Sequence, residues 1–292
     1  MGSAGKTAAC AVLFYLLVSL SGFAAELGGS PVALSDSVLP QGGIVRVAVA
    51  DEAGLDTVTG TFLKNSLPFI PSSDGGFYTM AGADMETTPG EYGLSLKLVR
   101  RDGSSQNVSR RLRVVDGKFP VQELTLPPAQ VFPDSAAAAR IEREDELRNR
   151  RWRQWARSAF WGKRFIVPVE GEMDRFGHRR VINGAPRSPH TGVDISSPEG
   201  TPVLAPAAGR VILTGDFFFT GNSIYIDHGL GLISMLFHLS RIDVQEGDTV
   251  EQGQVIGAVG STGRVTGPHL HWGVRWRGAR INPASLLKLE LE

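Results

Sequence analysis

The stretch NSIYIDHGLGLISMLFHLS, residues 222–240, consists of two apolar runs on either side of the turn DHGLG. Runs of this length and composition, bounded by glycines, are typical of β-strands. The same organisation recurs in GTPVLAPAAGRVILTGDF (200–217), DTVEQGQVIGAVG (248–260) and HLHWGVRW (269–276). Residues 161–287 are therefore predicted to form a compact β-barrel or β-sandwich with little helix.

The region that precedes it is also predicted to be β-structure. IVRVAVAD (44–51) and YGLSLKLVRRDG (92–103) alternate apolar and polar residues, as half-buried strands do. Turn signals separate such runs, so residues 30–117 are predicted to form a small Ig-like β-sandwich. This region contains no histidine, which favours a folding or positioning module. The fold class expected for the whole chain is mainly β.

Residues 118–160 are predicted to be a linker that contains a helix. Prolines favour an extended start, and Asp134 is the expected helix N-cap. Acidic residues dominate the first turns and arginines the last, an order that suits the helix dipole. We expect a solvated inter-domain helix with Trp152 and Trp155 packed against a domain. A basic patch that touches an anionic polymer is the alternative.

The composition limits the classes of function. The chain has 292 residues, and its 30 basic and 30 acidic side chains cancel. A chain-wide attraction to nucleic acid or to an anionic membrane is therefore absent, and no nucleic-acid partner is expected. Cys10 is the only cysteine, so a mature chain that begins after it has no disulfide and no thiolate metal ligand.

The first 25 residues are predicted to be a secretory signal peptide. One early cation, Lys6, is followed by an apolar run from Ala8 to about Leu20, with cleavage expected after Ala24 or Ala25. The prediction is export to the periplasm, the cell envelope or the outside of the cell, with no stable membrane span after cleavage. Retention of the segment as a membrane anchor is the alternative, although the run is short for a span.

Two segments together supply three histidines and one carboxylate, and in each segment the spacing is even, so that the side chains share a face of a strand. His269 and His271 are two residues apart, so in a β-strand their side chains project to the same face. His190 and Asp194 are four apart and share a face if the segment is extended; Gly192 is expected to permit a bend that brings them closer. Two histidines and one carboxylate are a catalytic zinc pattern, which leaves a fourth position for water.

Residues 161–287, which contain all six histidines, resemble the lysostaphin-like (LytM-type) zinc endopeptidases, a family that cuts peptide bonds in bacterial peptidoglycan. The resemblance is carried by the H-x-x-x-D motif in SPHTGVDISSP and the H-x-H motif in GPHLHWGV. It implies a domain of barrel-sandwich hybrid-like type. It also implies one zinc ion per chain, held by His190, Asp194 and His271.

The resemblance also implies roles for two other histidines. His269 would act as the general base towards metal-bound water. His238 would orient water or stabilise the oxyanion, and the division of labour between these two residues stays open. In relatives the residue two before this second histidine is often tyrosine, whereas this chain has Leu236.

The remaining chemistry-bearing residues have weaker interpretations. His228 is expected to be a structural hydrogen-bonding residue at a turn, and His178 to lie at the surface or the groove rim. Arg179 and Arg180 either meet substrate carboxylates or are solvated loop residues. The phenylalanines 217–219 either wall a substrate groove or pack under the barrel, and the groove is favoured.

The resulting prediction is an exported zinc endopeptidase that acts on peptide crosslinks of peptidoglycan, with a regulatory envelope protein as a further partner. The main alternative is a non-catalytic LytM-type regulator that binds cell wall and activates another hydrolase. A lipoyl-carrier-like domain is disfavoured because Lys288 is the only lysine after residue 166. A structural or adhesive zinc module is the remaining alternative. The scissile bond, in a direct crosslink or a glycine bridge, and autoinhibition by the N-terminal domain stay open.

Overall fold

A computed structural model describes residues 30–51, 54–125, 131, 133–162 and 164–291. The predicted signal peptide, residues 1–25, lies outside the described residues. Within them the chain is mainly β, as predicted. No helix in the described part of the chain is long and apolar enough to cross a membrane.

The N-terminal region is a sandwich of two sheets, which confirms the predicted architecture. Its strands are β1 Val32–Leu34, β2 Val38–Pro40, β3 Ile44–Val49, β4 Leu55–Phe62, β5 Asn65–Pro68, β6 Ile70–Pro71, β7 Phe77–Gly82, β8 Gly90–Arg100 and β9 Ser105–Val115. One sheet has the order β1-β3-β7-β6 and the other β2-β9-β8-β4-β5. Strand β8 alternates buried leucines with exposed residues, as a strand with one face on a core must.

The rest of the chain forms two further sheets. Its elements are β10 Val121–Leu124, α1 Ser135–Arg151, β11 Glu172–Met173, β12 Arg179–Ile182, β13 Ala185–Pro186, β14 Gly192–Ser196, β15 Pro202–Leu204, β16 Gly209–Phe217, β17 Gly221–Asp227, β18 Leu232–Ile242, β19 Thr249–Val250, β20 Val255–Val259, β21 His269–Trp276, β22 Ala279–Ile281 and α2 Pro283–Leu286. The path β11-β14-β21-β18-β17-β16-β19 runs through the larger sheet, and β15, β20 and β22 branch from it. The smaller sheet has the order β10-β12-β13.

The predicted linker contributes both a helix and a strand. Asp134 caps α1 as predicted, because its Oδ1 accepts a hydrogen bond from the Ala137 backbone at 2.8 Å. Beyond the helix, Arg275 lies over the ring of Trp152 at 4.2 Å, so this tryptophan packs against the larger sheet as predicted. Strand β10 was not predicted; it pairs in parallel with β12 and extends the smaller sheet.

The sandwich packs directly against the larger sheet. Tyr78 of β7 donates a hydrogen bond to the Leu291 carbonyl at 2.5 Å and accepts one from the Trp161 indole at 3.2 Å. Arg280 of β22 donates to both carboxylate oxygens of Asp84, at 2.9 and 2.5 Å. One apolar cluster contains residues of both regions, so the two share a core.

Candidate functional site

Strand β21 lies at the centre of the site because of its register with its neighbours. Asp194 of β14 stands directly opposite His271 on one side, and Phe237 of β18 stands opposite it on the other. His269 lies two residues earlier on the same strand and faces the same way, as the strand period predicts. Leu270, between the two histidines, is fully buried in the core on the opposite face.

Three donor atoms from two distant segments converge at this point. His190 Nε2 lies 3.0 Å from Asp194 Oδ1 and 2.8 Å from His271 Nδ1. The third distance, from His271 Nδ1 to Asp194 Oδ1, is 2.9 Å. The structure therefore brings together the three residues that the sequence predicts as metal ligands.

Gly192 is needed for this convergence, but not for the predicted reason. It lies inside β14 and does not have a positive φ, so it makes no special bend. A Cβ atom at this position would lie 2.6 Å from Nε2 of His271 and 2.6 Å from the Trp272 carbonyl oxygen. The absence of a side chain at residue 192 makes room for the His271 ring.

The electrostatics of the three residues suit metal ligands. Burial would raise the pKa of Asp194, but hydrogen bonds from His190 and His271 outweigh it and hold the pKa far below its ordinary value. Burial lowers the pKa of His271 to about 4 and also lowers the pKa of His190. Near neutral pH the site thus offers two neutral imidazoles and a carboxylate, the protonation states that metal binding requires.

This donor set fits zinc. Zinc takes histidine nitrogens and carboxylate oxygens, and a catalytic site uses three protein ligands. Two buried imidazoles and one carboxylate supply three such atoms within 3.0 Å of one another. Thiolate ligands are absent from the described residues, so a zinc ion here would have only nitrogen and oxygen donors.

Two further histidines face the same cluster with a defined tautomer. His269 Nδ1 lies 2.8 Å from the Gly267 carbonyl, and His238 Nδ1 lies 2.9 Å from the Thr262 carbonyl. A carbonyl oxygen only accepts, so both Nδ1 atoms carry the hydrogen and both Nε2 atoms have a lone pair. His269 Nε2 lies 3.7 Å from Asp194 Oδ1. The ring centroids of His238 and His269 are 4.9 Å apart.

His238 reaches the site through an irregularity in β18. Its φ is 66°, in the left-handed region that costs a non-glycine residue about 1–3 kcal/mol. The pairing of β18 with β17 shifts by one residue here, which is a β-bulge, and bulges re-aim side chains next to active sites. Burial, aided by the charges of neighbouring histidines, lowers the pKa of His238 to about 3.

The same bulge decides which residue before His238 faces the site. In the structure Leu236 is fully buried in the apolar core and pairs with Trp272. Phe237 faces the site instead, and its ring stacks on His271 with centroids 5.1 Å apart and planes 4° apart. Sequence analysis missed this contact because the bulge cannot be read from the alternation.

Asp174 is a second residue that sequence analysis missed. Its Oδ1 accepts a hydrogen bond from the Asp194 backbone at 2.7 Å. Its Oδ2 faces two imidazole nitrogens, Nδ1 of His178 at 3.6 Å and Nδ1 of His190 at 3.9 Å. Both nitrogens are buried without a hydrogen-bond partner among the described residues. His178 therefore adjoins the site and is half-buried, which agrees with the rim of the groove and not with the open surface, the two positions that the sequence left open.

A pocket of about 210 Å³ opens over the cluster. Gln122 and Leu124 of β10 line it together with Arg180 of β12, so the predicted linker forms part of its wall. The sequence predicted that phenylalanines 217–219 wall a groove. Phe219 does line the pocket, whereas Phe217 is buried in a separate apolar cluster.

His228 is a structural residue, as expected. It is fully buried and donates from Nδ1 to the Ala208 carbonyl at 2.8 Å. The Ser234 hydroxyl donates to its Nε2 at 2.9 Å and accepts from the Trp272 indole at 3.3 Å. Burial lowers the pKa of His228 to about 4, so the ring is neutral in the fold.

Comparison with known proteins places this geometry in a family. Residues 188–283 match the model of peptidase family M23. A crystal structure assigned to peptidase M23, from Pseudomonas aeruginosa, is 30% identical and superposes with a TM-score of 0.65. That likeness covers 87% of this chain and 96% of the other. The chain belongs to peptidase family M23.

Curated relatives match about a third of this chain. Peptidoglycan DD-endopeptidase ShyA of Vibrio cholerae is 44% identical over 95 residues, which are 32% of this chain. DD-carboxypeptidase/endopeptidase Mpg of Neisseria meningitidis serogroup B is 46% identical over 97 residues, which are 33% of this chain. In each case the match spans 22% of the relative's own length.

Proposed function

We propose that this protein is an exported zinc endopeptidase that hydrolyses peptide crosslinks of bacterial peptidoglycan in the periplasm, the cell envelope or outside the cell. The observation that carries the proposal is the convergence of three donor atoms, from His190, Asp194 and His271, within 3.0 Å of one another at a pocket. Membership of the M23 family and similarity to peptidoglycan DD-endopeptidases support the choice of substrate.

In this proposal His190 Nε2, Asp194 Oδ1 and His271 Nδ1 hold one zinc ion per chain. The ion would supply a Lewis acid and would lower the pKa of water towards about 7. The three residues contribute their protonation state, because the two imidazoles are neutral and the carboxylate is ionised near neutral pH.

His269 is the proposed general base. The Gly267 carbonyl holds its Nδ1 hydrogen, which leaves the Nε2 lone pair free to accept a proton. That nitrogen lies 3.7 Å from the carboxylate oxygen of Asp194, so it reaches the space beside the metal ligands. From this position His269 takes a proton from the attacking water and returns it to the leaving amine.

The tautomer of His238 favours one of its two predicted roles. With its hydrogen on Nδ1 and a pKa near 3, the ring presents an acceptor at Nε2 near neutral pH. An acceptor orients a water molecule, whereas stabilisation of an oxyanion needs a donor. We therefore assign His238 to orientation of the attacking water.

The domain boundaries belong to the same proposal. They are a signal peptide at 1–25, a β-sandwich at 30–117, a linker at 118–160 and the peptidase domain at 161–287. The pairing of β10 with β12 supports a linker that is attached to the peptidase domain. A regulatory envelope protein remains a predicted partner.

Digestion of sacculi of defined crosslink chemistry tests the proposal. The protein without residues 1–25 is incubated with them before and after chelator treatment, and released fragments are identified by mass. We expect cleavage at the peptide crosslink that stops after chelation and returns with zinc. If no fragment is released and the protein instead accelerates another purified hydrolase, the non-catalytic alternative is correct.

A further inference from the structure

One carboxylate outside the proposed ligand set reaches two of its three members. Oδ1 of Asp174 accepts a hydrogen bond from the Asp194 backbone nitrogen at 2.7 Å. Oδ2 of Asp174 lies 3.9 Å from His190 Nδ1, the ring nitrogen on the side away from the three converging donor atoms. Asp174 therefore contacts both ligands of the H-x-x-x-D segment.

His178 contacts the same carboxylate and the same ligand. Its Nδ1 lies 3.6 Å from Oδ2 of Asp174, so two imidazole nitrogens face one carboxylate oxygen. Its backbone carbonyl accepts a hydrogen bond from the His190 backbone nitrogen at 2.9 Å. The backbone contact does not depend on the side chain, so substitution of His178 tests the ring alone.

A tight turn brings Asp174 and His178 together. Asp174 follows β11 and His178 precedes β12. Between them Gly177 has a φ of 87°, and a Cβ atom there would lie 2.3 Å from the ring of Phe119. Only glycine fits this conformation and this close approach. Phe176 of the same turn is buried and packs edge-on against Phe119, so the turn is fixed by the core.

Two carboxylates compete for the ring hydrogen of His190. Asp194 Oδ1 lies 3.0 Å from Nε2 and favours the tautomer with its hydrogen there. A metal ion needs the lone pair of Nε2, so metal binding requires the hydrogen on Nδ1. Nδ1 is buried without a hydrogen-bond partner among the described residues, and 3.9 Å from Asp174 is too long for one. The charge of Asp174 nevertheless attracts a hydrogen on Nδ1 and so lowers the cost of the tautomer that the metal requires.

We propose that Asp174 and His178 form a positioning pair that holds His190 in the tautomer and orientation needed for metal binding. The inference rests on the proposed function, because it concerns the same metal ligands. Asp174 acts on His190 directly, and His178 acts through Asp174 by holding Oδ2 beside the His190 ring. Neither residue of the pair lines the pocket, so neither is placed to touch substrate.

The tautomer of His190 gives a readout in the zinc-free protein. Long-range ¹⁵N–¹H NMR of the imidazole reports the fraction with the hydrogen on Nδ1. In Asp174→Asn the amide carbonyl takes the place of Oδ1, which accepts from the Asp194 backbone, so the amide NH₂ faces His190. We expect a lower Nδ1–H fraction in Asp174→Asn than in the wild-type protein, and an unchanged fraction in the control Glu172→Gln.

Zinc affinity, measured by chelator competition, tests whether His178 acts through Asp174. His178→Leu should weaken zinc affinity by about tenfold, the lower end for partners of a metal-binding histidine. The double variant His178→Leu/Asp174→Asn should bind zinc as Asp174→Asn alone does, because the effects of residues that act as a unit are not additive. His178→Asn keeps an N–H donor near the position of Nδ1 and should restore most of the affinity.

Urea unfolding of the zinc-free variants separates positioning from loss of folding, and we expect the unfolding midpoints to match that of the wild-type protein. Additive losses of affinity in the double variant would overturn the pair, as would equal affinity and equal tautomer fractions in all variants, and either result leaves the peptidase intact. A wild-type protein that binds no zinc would overturn the proposed function, and the NMR comparison would still decide whether Asp174 sets the tautomer.

Discussion

The N-terminal sandwich and the C-terminal sheet are both built from β-strands, but the pattern of buried residues along the strands differs between them. In β8 Leu94, Leu96 and Leu98 are buried and the residues between them are exposed, so one face meets a core and the other meets solvent. In β21 six of the eight residues are buried, including His271, and His269 is half-buried. Burial of polar groups costs free energy unless they are paired, so the buried ring of His271 depends on its contacts with Asp194 and His190.

The comparison predicts that single substitutions in the C-terminal site lower activity, whereas single substitutions in the core of the sandwich lower stability. The largest effect is expected for His271→Ala, which removes one of the three proposed ligands. Activity on sacculi should fall by roughly 10³-fold or more, with loss of bound zinc. His269→Ala should lose activity to a similar extent but keep zinc. Metal analysis together with fragment release measures both quantities, and full activity in both variants would contradict the assignment.

A core change in the sandwich should act on stability alone. Phe62 is 2% exposed, and Phe62→Ala should lower the free energy of unfolding by about 3–5 kcal/mol. Turnover per folded molecule should stay unchanged at low temperature. Phe160→Ala is the control, because Phe160 is 37% exposed and its truncation should have little effect. Urea unfolding with parallel assays checks this, and a matching loss of turnover would show that the sandwich takes part in the chemistry.

His228 sharpens the comparison within the C-terminal sheet, because it is buried for structure and not for catalysis. Its pKa is about 4 in the fold and about 6.5 when unfolded. Above pH 6.5 the ring is neutral in both states, so its contribution to stability is complete. As the pH falls towards 4 the unfolded chain gains a proton that the folded chain does not bind, and stability decreases.

Between pH 7 and pH 5 the titration of His228 should lower the free energy of unfolding by about 2 kcal/mol. Unfolding of the wild-type protein and of His228→Asn at both pH values measures it. We expect the wild-type protein to lose about 2 kcal/mol more than the variant over this interval. Equal losses would show that this ring is charged in the fold.

The smallest effect is expected for Asp174, which contacts the site without belonging to the proposed ligand set. Its carboxylate faces His190 Nδ1 and accepts from the Asp194 backbone. Partners that orient a metal-binding histidine affect metal affinity by about 10–100-fold. Asp174→Asn should weaken zinc affinity to that extent in a chelator competition. Glu172→Gln, at an exposed position of the adjoining strand β11, is the control, and equal affinity in both variants would remove this role.

The strand period made part of the site predictable. His269 and His271 share a face because side chains in a strand alternate, and this needed no tertiary information. The sandwich and the linker helix were predictable for the same reason, since alternation, turn residues and the Asp134 cap are local signals. The meeting of the H-x-x-x-D segment with the H-x-H segment came from family resemblance, because register between distant strands is not visible in composition or spacing.

The features of the fold and site that the sequence did not predict depend on pairing between distant strands. Strand β10 pairs with β12, and no local sequence pattern predicts this pairing. Five residues shortly after β10 lie outside the described part of the chain. Phe237 faces the site, and Leu236 does not, because a bulge shifts the alternation by one residue. Asp174 was overlooked because it lies beside a two-residue strand whose partner is known only from the fold.

The central claim is that two segments hold one zinc ion through His190, Asp194 and His271. The most direct test is the zinc content per chain after reconstitution and dialysis, for the wild-type protein, His190→Ala and His269→Ala. The account predicts one zinc ion per chain in the wild-type protein and in His269→Ala, and far less than one in His190→Ala. Equal zinc content in all three proteins, or none in the wild-type protein, would contradict it.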